Sequence, residues 1–393
     1  MKIDELLRML VDKKGSDLHL KVGRPPLMRI KGDLNPIEGL PVISKEEMKE
    51  ILYPMLTSMQ IEKFENELEL DFSYLIENLA RFRCNMSYSM EDLSAVFRLV
   101  PIEILTVEQL GLPDVLNDII ERKSGIVIVT GPTGSGKSTT LAAIIDRINK
   151  TRHEHIITIE DPIEFVHQDK NCTINQREVG SDTLSYTSAL KRALRQDPDI
   201  ILLGEMRDPE SISIAIAAAE TGHLVFSTLH TLDAKQSIDR IIDTFPPGQQ
   251  HQIRMQIGSA LGAIISQNLI KPSIGQKRVP VVEIMINTAT IRKLIHESKV
   301  GLIDKAIADS ALLYKMQTQN QHLFKLINDG IITKEDALRS SRNPNDLRIM
   351  FQTRSMHTDN DQEEDKNAAK SAGIMGKKTS PFKDSKPPGQ DSK

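Results

Sequence analysis

The sequence has no tryptophan, two cysteines and few aromatic residues among its 393 positions. The cysteines, Cys84 and Cys172, are far apart in the chain and form no CxxC pair. A disulfide framework and a zinc site built on paired cysteines are therefore excluded. A reducing, cytoplasmic compartment is the expected location.

Long apolar runs are missing as well. No stretch approaches the ~18 residues that a membrane-spanning helix needs. Residues 211–219 (SISIAIAAA) are short and alanine-rich, which indicates a buried helix. We recognise no signal peptide, and we expect any membrane association to depend on a partner protein.

The chain also lacks a large net charge, because its 50 basic residues nearly balance its 54 acidic ones. Proteins whose main partner is nucleic acid usually carry a basic excess, so we expect no direct nucleic-acid partner. The 39% apolar and 26% charged residues are typical of a soluble globular protein. A chain of this length usually forms two or three domains.

The most informative stretch is residues 125–149, where a strand, a loop and a helix follow one another. Residues 126–129 are apolar and β-branched and predict a buried strand, and residues 139–149 carry apolar side chains at helical spacing. Between them GPTGSGKS fits the pattern G-x-x-x-x-G-K-[ST]. Such a loop, followed by a helix N-terminus, suits phosphate binding better than a glycine-rich turn without a ligand.

The pattern assigns roles to individual side chains of this loop. Lys137 is expected to reach the β- and γ-phosphates of a nucleotide, and the Ser138 hydroxyl is expected to ligate Mg²⁺. We therefore predict ATP and Mg²⁺ as ligands. The predicted nucleotide-binding residues are Gly131, Pro132, Thr133, Gly134, Ser135, Gly136, Lys137, Ser138 and Thr139.

The whole chain divides by pattern into five parts. Residues 1–100 read as strands with helices and predict a small α+β domain, and residues 101–119 read as a linker. Residues 120–285 alternate strand and helix, which predicts a parallel sheet covered by helices, and residues 286–352 predict a helical subdomain. Residues 353–393 are rich in polar residues, glycine and proline and predict a disordered tail.

Two acidic segments follow predicted strands of the central domain. Residues 160–164 hold three carboxylates, one of which could polarise the water that attacks a γ-phosphate, although a solvated acidic loop is the alternative. Residues 199–205 have the layout of a Walker B strand. Gly204 occupies the usual aspartate position and Glu205 follows it. The pattern alone therefore does not identify the group that holds the Mg²⁺ ion and its water shell.

A third segment, residues 224–231, ends in hydroxyl groups and a histidine. Thr228 and His230 could sense a γ-phosphate, whereas a lone histidine is more often a structural hydrogen-bonding group.

Three arginines lie on predicted strands of the N-terminal region. Arg81 and Arg83 are two residues apart and share one strand face, and Arg98 lies on another strand. Arginines from a neighbouring domain can stabilise the transition-state charge of a γ-phosphate. A surface ion pair with the glutamates of residues 62–69 is the simpler interpretation.

Taken together, these motifs resemble those of the secretion ATPase superfamily, and within it the type IV pilus retraction ATPases. GPTGSGKSTTLA resembles the Walker A motif, ITIEDPIEFVH the Asp box, RQDPDIILLGEMRD the atypical Walker B segment and AETGHLVFSTLHT the His box. INQREVG resembles another signature of the family, and TATIRKLIHE resembles its C-terminal motif with three changes, at Thr290, Lys293 and His296. The resemblance covers about residues 1–350.

The resemblance implies a hexameric ring of subunits with a PAS-like N-terminal domain and a RecA-like P-loop ATPase core, with ATP bound between them. It also implies that Glu164 is the general base and that Glu205 is the Walker B glutamate near the metal. Arg83 and Arg98 correspond to arginines that reach the phosphates. The predicted catalytic residues are therefore Lys137, Glu164, Glu205, Arg83, Arg98 and His230.

The expected function is that of an ATP-hydrolysing motor, peripheral at the inner membrane, that acts on a pilus platform protein to drive retraction. Accessory retraction ATPases and the ATPases of pilus extension or type II secretion are the alternatives. The extension and secretion ATPases usually carry a long N-terminal extension and a four-cysteine insertion, which this sequence does not present. The intact carboxylates disfavour a nucleotide-gated scaffold that does not hydrolyse ATP. The acidic charge balance disfavours a DNA motor.

Overall fold

The computed structural model describes residues 1–77, 79–100, 104–273 and 277–353. The predicted tail, apart from its first residue, lies outside these ranges. Two sheets organise the described residues, an antiparallel one near the N-terminus and a mainly parallel one in the centre.

The N-terminal sheet has six strands in the order β3-β2-β1-β6-β5-β4, and every neighbouring pair is antiparallel. Its strands are β1 (Asp17–Lys21), β2 (Leu27–Ile30), β3 (Asp33–Pro36), β4 (Glu69–Ile76), β5 (Ala80–Ser89) and β6 (Asp92–Leu99). Three helices share one apolar core with it: α1 (Ile3–Asp12), α2 (Lys45–Leu52) and α3 (Ser58–Glu67). Helix α2 begins with a capping box, in which Ser44 and Glu47 each bond the other's backbone N–H.

The central sheet has seven strands in the order β13-β12-β7-β11-β10-β8-β9, and only the β12–β13 pair is antiparallel. The parallel sheet predicted from strand–helix alternation is therefore confirmed. Its strands are β7 (Gly125–Thr130), β8 (His155–Glu160), β9 (Thr173–Glu178), β10 (Ile200–Leu203), β11 (Leu224–Leu229), β12 (Leu261–Ile270) and β13 (Val279–Ile286). The accompanying helices are α4 (Val115–Ile120), α5 (Lys137–Thr151), α6 (Tyr186–Ala193), α7 (Pro209–Glu220), α8 (Ala234–Asp243) and α9 (Pro247–Ala260).

Both faces of the central sheet are buried. Along β7, Ile126 and Ile128 belong to one apolar cluster and Val127 and Val129 to another. Alternate residues of a strand point to opposite faces, so helices cover this sheet on both sides. The continuous apolar run of β7 is the sequence signature of that environment.

Several central elements were not apparent from the sequence pattern. Strand β9 is polar and half exposed and has no apolar run. Strand β12 begins at Leu261, directly after Ala260, the last residue of α9. No loop marks the boundary between this helix and this strand.

The C-terminal helices pack partly against α8 and α9 and partly against the β12–β13 edge of the sheet. They are α10 (Ala289–His296), α11 (Ile303–Asp309), α12 (Ala311–Tyr314), α13 (Gln319–Asn328) and α14 (Lys334–Ser340). Within the predicted helical subdomain, a 3-10 turn precedes α11, and Ser310 separates α11 from α12. In the part of the chain that the structure describes, no helix is long and apolar enough to cross a bilayer.

One buried side chain ties helix α5 to the loop that leads into β9. Asn149 has no exposed surface. Its Oδ1 accepts hydrogen bonds from the backbone N–H of Lys170 at 3.0 Å and of Cys172 at 3.3 Å. Its Nδ2 donates to the carbonyl of Gln168 at 2.7 Å. The side chain therefore satisfies three backbone groups that have little access to water.

Replacing Asn149 with alanine should loosen this loop. An unsatisfied buried polar group costs about 1–3 kcal/mol, so the amides of Lys170 and Cys172 should exchange with solvent faster and the thermal midpoint should fall. Hydrogen exchange read by mass spectrometry measures the effect. Gln168→Ala is the matched control, because Gln168 lies in the same loop and only its backbone carbonyl, not its exposed side chain, contacts Asn149. Equal exchange in both variants would contradict the assignment.

Candidate nucleotide site

A cavity of about 510 Å³ lies where the parallel strands end. Its walls come from the loop after β7, from the segment after β8, and from the ends of β10 and β11. This is the edge at which open α/β sheets bind ligands, and the volume suits a small molecule. The lining includes Thr133, Gly134, Gly136, Lys137, Ser138, Thr139, Asp161, Glu164, Glu205, Arg207, Thr228 and His230.

The loop between β7 and α5 is held against β12. Gly131 has φ +145°, and a Cβ there would lie 2.1 Å from the Gln267 carbonyl oxygen, so only glycine fits. The Gln267 side chain donates to the carbonyl of Ser135 at 2.8 Å and accepts from the Thr140 hydroxyl at 2.7 Å. Gln267 thereby fixes the loop from the neighbouring strand, a contact that the loop pattern alone did not indicate.

Lys137 begins helix α5 and is mostly buried, with 9% of its surface exposed. Its Nζ donates to the carbonyl of Gly131 at 2.9 Å and to that of Pro132 at 3.2 Å. Burial lowers the pKa of Lys137, and the carboxylates of Glu205 and Glu164 act in the opposite direction. Both acids predicted for catalysis are therefore close enough to act on the charge of the loop lysine.

Glu205 contacts two basic side chains at the end of β10. Its Oε2 lies 2.8 Å from Arg207 Nε and 3.6 Å from His230 Nε2. The hydrogen bond to Glu205 raises the pKa of Arg207. Arg207 lines the cavity but was not selected from the sequence, although it stands within the quoted segment GEMRD.

The packing around Gly204 explains the missing Walker B aspartate. A Cβ at Gly204 would lie 3.0 Å from the Tyr186 hydroxyl and 3.2 Å from the carbonyl oxygen of Ile159. Tyr186 lines the cavity, and burial raises its pKa. The Thr228 hydroxyl donates to the Gly204 carbonyl at 2.6 Å. The space that an aspartate side chain needs is therefore taken by Tyr186.

The three carboxylates after β8 differ in their surroundings. Glu160 accepts from the Thr158 hydroxyl at 2.6 Å and from Gln176 Nε2 at 3.2 Å, and burial raises its pKa. Asp161 and Glu164 are exposed and line the cavity. Glu164 therefore has the access to water that its predicted role as a base requires.

The predicted arginines lie on the N-terminal sheet, and the described lining of the cavity includes neither Arg83 nor Arg98. The two residues stand directly opposite each other in the β5–β6 pair. The Nε of Arg98 donates to Asp17 Oδ1 at 2.8 Å, and Arg83 is exposed. Their approach to a phosphate stays a prediction.

The simpler interpretation of Arg81, an ion pair with residues 62–69, is wrong. Its Nη2 lies 2.7 Å from Oε2 of Glu178 in the central sheet. The two residues are 97 positions apart, so no local pattern connects them.

The two histidines of the His box segment lie at opposite ends of β11. His230 follows the strand and lines the cavity. His223 precedes the strand, and its Nδ1 lies 2.9 Å from the carbonyl oxygen of Ala218. Of the pair, His230 is thus the one near the loop.

The donors available for a metal ion are the Ser138 hydroxyl and the Glu205 carboxylate, both at the cavity wall. Mg²⁺ prefers oxygen ligands and is usually held by one or two protein groups together with substrate phosphates and water. The chemistry of these donors fits a magnesium ion bound together with a nucleotide.

Comparison with known proteins gives consistent results. Residues 73–339 match the model of the family described as type II/IV secretion system protein. The type IV pilus retraction ATPase PilT of Pseudomonas aeruginosa is 47% identical over 344 residues, which span 88% of this chain and 99% of that protein. A twitching motility protein of Neisseria gonorrhoeae is 47% identical over 318 residues, covering 81% of this chain and 84% of the relative.

A solved structure gives the same correspondence in three dimensions. The crystal structure of the pilus retraction motor PilT with bound ADP aligns with a TM-score of 0.82 at 44% identity. The alignment covers 88% of this chain and 99% of that one.

The contact between Gly204 and Tyr186 can be tested by stability measurements. Gly204→Ala should lower the thermal midpoint, because overpacking of this kind costs about 1–3 kcal/mol. Gly204→Ala combined with Tyr186→Phe should recover part of the loss, since the nearest atom is then removed. If the single variant is as stable as the wild type, or the double variant recovers nothing, the steric explanation fails.

Proposed function

Because the chain belongs to the type II/IV secretion system protein family, we propose that it is an ATP-hydrolysing motor that powers the retraction of type IV pili. The observation that carries this proposal is one cavity at the end of a parallel sheet, whose lining includes Lys137, the Ser138 hydroxyl and the carboxylates of Glu164 and Glu205. Phosphoryl transfer needs these groups, since its catalysis is mainly positioning and charge stabilisation.

The chemistry follows from the residues of the cavity. The backbone N–H groups of the loop and the ammonium of Lys137 hold the β- and γ-phosphates of ATP. Glu164, which is exposed to water, accepts a proton from the water that attacks the γ-phosphorus. Bound Mg²⁺, held by Ser138 and Glu205, would neutralise negative charge on the phosphates. The Glu205 carboxylate first has to share or release Arg207 and His230, which it contacts in this structure.

The positive charge that further stabilises the γ-phosphate comes from the N-terminal region. Arg83 and Arg98 of the N-terminal sheet approach the γ-phosphate when that sheet closes over the cavity. In this proposal residues 1–100 form a PAS-like domain, residues 120–285 a RecA-like core and residues 286–352 a helical subdomain. Closing and opening of the PAS-like domain against the RecA-like core converts ATP hydrolysis into movement.

The motor works as a hexameric ring at the cytoplasmic side of the inner membrane. Its partner is the platform protein of the pilus, and that protein supplies the attachment to the membrane. Relatives described as a pilus retraction ATPase and a twitching motility protein support this assignment.

Two physiological roles remain to be separated, retraction and extension. Deleting the gene in its own organism should leave cells with pili but without twitching motility. Electron microscopy of pili and a surface-motility assay measure the two properties. Cells without pili would point instead to an ATPase of pilus extension.

The site assignment is tested with Glu205→Gln, which keeps the shape of the side chain and removes its charge. Phosphate release should fall at least about 100-fold, because electrostatic groups of this kind contribute that much to catalysis. ATP binding, measured with a fluorescent analogue, should persist. Glu210→Gln is the matched control, since Glu210 is exposed on α7 and pairs with Lys191. Full activity of a folded Glu205→Gln variant would refute the assignment.

A further inference from the structure

A buried carboxylate connects the N-terminal sheet to the loop that carries the proposed base. Glu178 ends β9 and has only 3% of its surface exposed. Its two oxygens accept from the Ser73 hydroxyl at 2.7 and 2.8 Å. Its Oε2 also accepts from Arg81 Nη2 at 2.7 Å and from the backbone N–H of Ile163 at 3.1 Å.

These donors come from two different parts of the molecule. Ser73 and Arg81 lie on β4 and β5 of the N-terminal sheet. Ile163 lies in the segment after β8, is 4% exposed and directly precedes Glu164. A buried charge is tolerated only when it is paired and hydrogen-bonded, so the orientation of the Glu178 carboxylate depends on both sides.

The backbone of Glu178 is held in place by the central sheet. Glu178 is paired with Glu160 at the last position of the β8–β9 ladder, so its Cα is held by the sheet. The segment after β8 is held through its amide at Ile163, which donates to the same Glu178 oxygen that Arg81 contacts. A shift of the N-terminal sheet changes the partners of that oxygen and with them the restraint on this segment.

We propose that Glu178 is a positioning residue that couples the placement of the N-terminal sheet to the placement of Glu164. The inference rests on the proposed ATP hydrolysis, in which Glu164 is the base. When Ser73 and Arg81 engage Glu178, the segment after β8 is held in one conformation. When the sheet withdraws, the carboxylate loses its cationic partner and Ile163 loses a fixed acceptor.

The strand that carries Arg81 also carries one of the proposed phosphate-binding arginines. Arg83 lies two residues beyond Arg81 on the same face of β5, about 7 Å further along the strand. Arg98 stands opposite Arg83 in the ladder. Because Arg81 contacts Glu178 in this structure while the described lining of the cavity includes neither Arg83 nor Arg98, the contact restrains the segment after β8 independently of the approach of these arginines.

Hydrogen exchange tests the coupling without reference to catalysis. In Arg81→Gln and in Ser73→Ala the amides of residues 160–167 should exchange roughly tenfold faster, as expected for loss of a hydrogen bond to a charged group. Asn85→Ala is the control, because Asn85 is exposed on the same strand face and bonds Asp71 within its own sheet. Unchanged exchange in a folded Arg81→Gln variant would overturn the proposal.

Steady-state kinetics of the full-length protein then tests the effect on the base. Arg81→Gln and Glu178→Gln should each lower kcat about 10- to 100-fold, the cost of a misplaced catalytic group, with little change in KM for ATP. The double variant should be no slower than Glu178→Gln alone, because both act through one carboxylate. Arg81→Lys, which keeps the charge, should restore part of kcat.

The outcomes separate this inference from the proposed function. A wild-type protein that hydrolyses no ATP refutes the proposed function, while the exchange experiment still decides whether the contact restrains the segment. Additive losses in the double variant, or a rise in KM without a fall in kcat, overturn the positioning role. If Glu178→Gln fails to fold, Arg81→Gln and Ser73→Ala compared with Arg81→Lys decide the question.

Discussion

The candidate site depends on the parallel pairing of β7, β11, β10 and β8. Their registers bring Thr130 beside Leu229 and Leu203 beside both Ser227 and Ile159. Parallel strands end at the same edge, so residues that follow four separate strands meet there. The burial of both sheet faces makes this pairing specific, since a shift by one residue would move side chains from one apolar cluster to the other. The loop lysine, the carboxylates and His230 all lie where this edge puts them.

The phosphate loop is positioned by more than its own glycines. Gln267 on β12 holds the carbonyl of Ser135 and the hydroxyl of Thr140, and the carbonyl of the same glutamine excludes a side chain at Gly131. At the opposite end of helix α5, Asn149 joins the helix to the segment that leads into β9. A loop that is ordered before its ligand arrives loses less conformational entropy on binding. The supporting residues therefore contribute to nucleotide binding without touching the nucleotide.

The central cavity is lined by acids and by Lys137. Arg83 and Arg98, the arginines proposed to bind phosphate, lie on the N-terminal sheet. In the proposed function this division suits a motor, because the complete set of charges would assemble only when these arginines reach the cavity. The described contact between the two sheets includes a buried ion pair, Arg81 with Glu178. Buried ion pairs contribute less to stability than to the choice of one arrangement over others. A contact of that kind suits an interface that has to form and separate repeatedly.

Local patterns determined much of the protein. The strand, loop and helix around GPTGSGKS, the capping box at Ser44 and the alternation that predicts a parallel sheet all depend on neighbours within a few residues, whose spacing is visible in the sequence. Only the tertiary structure decided that Arg81 pairs with Glu178, that Tyr186 occupies the space beside Gly204 and that Arg207 contacts Glu205. The first two contacts join residues from distant parts of the chain, and the third depends on how a loop turns after its strand. Such contacts arise from packing of whole sheets and loops, and packing leaves no period or spacing in the sequence to be recognised.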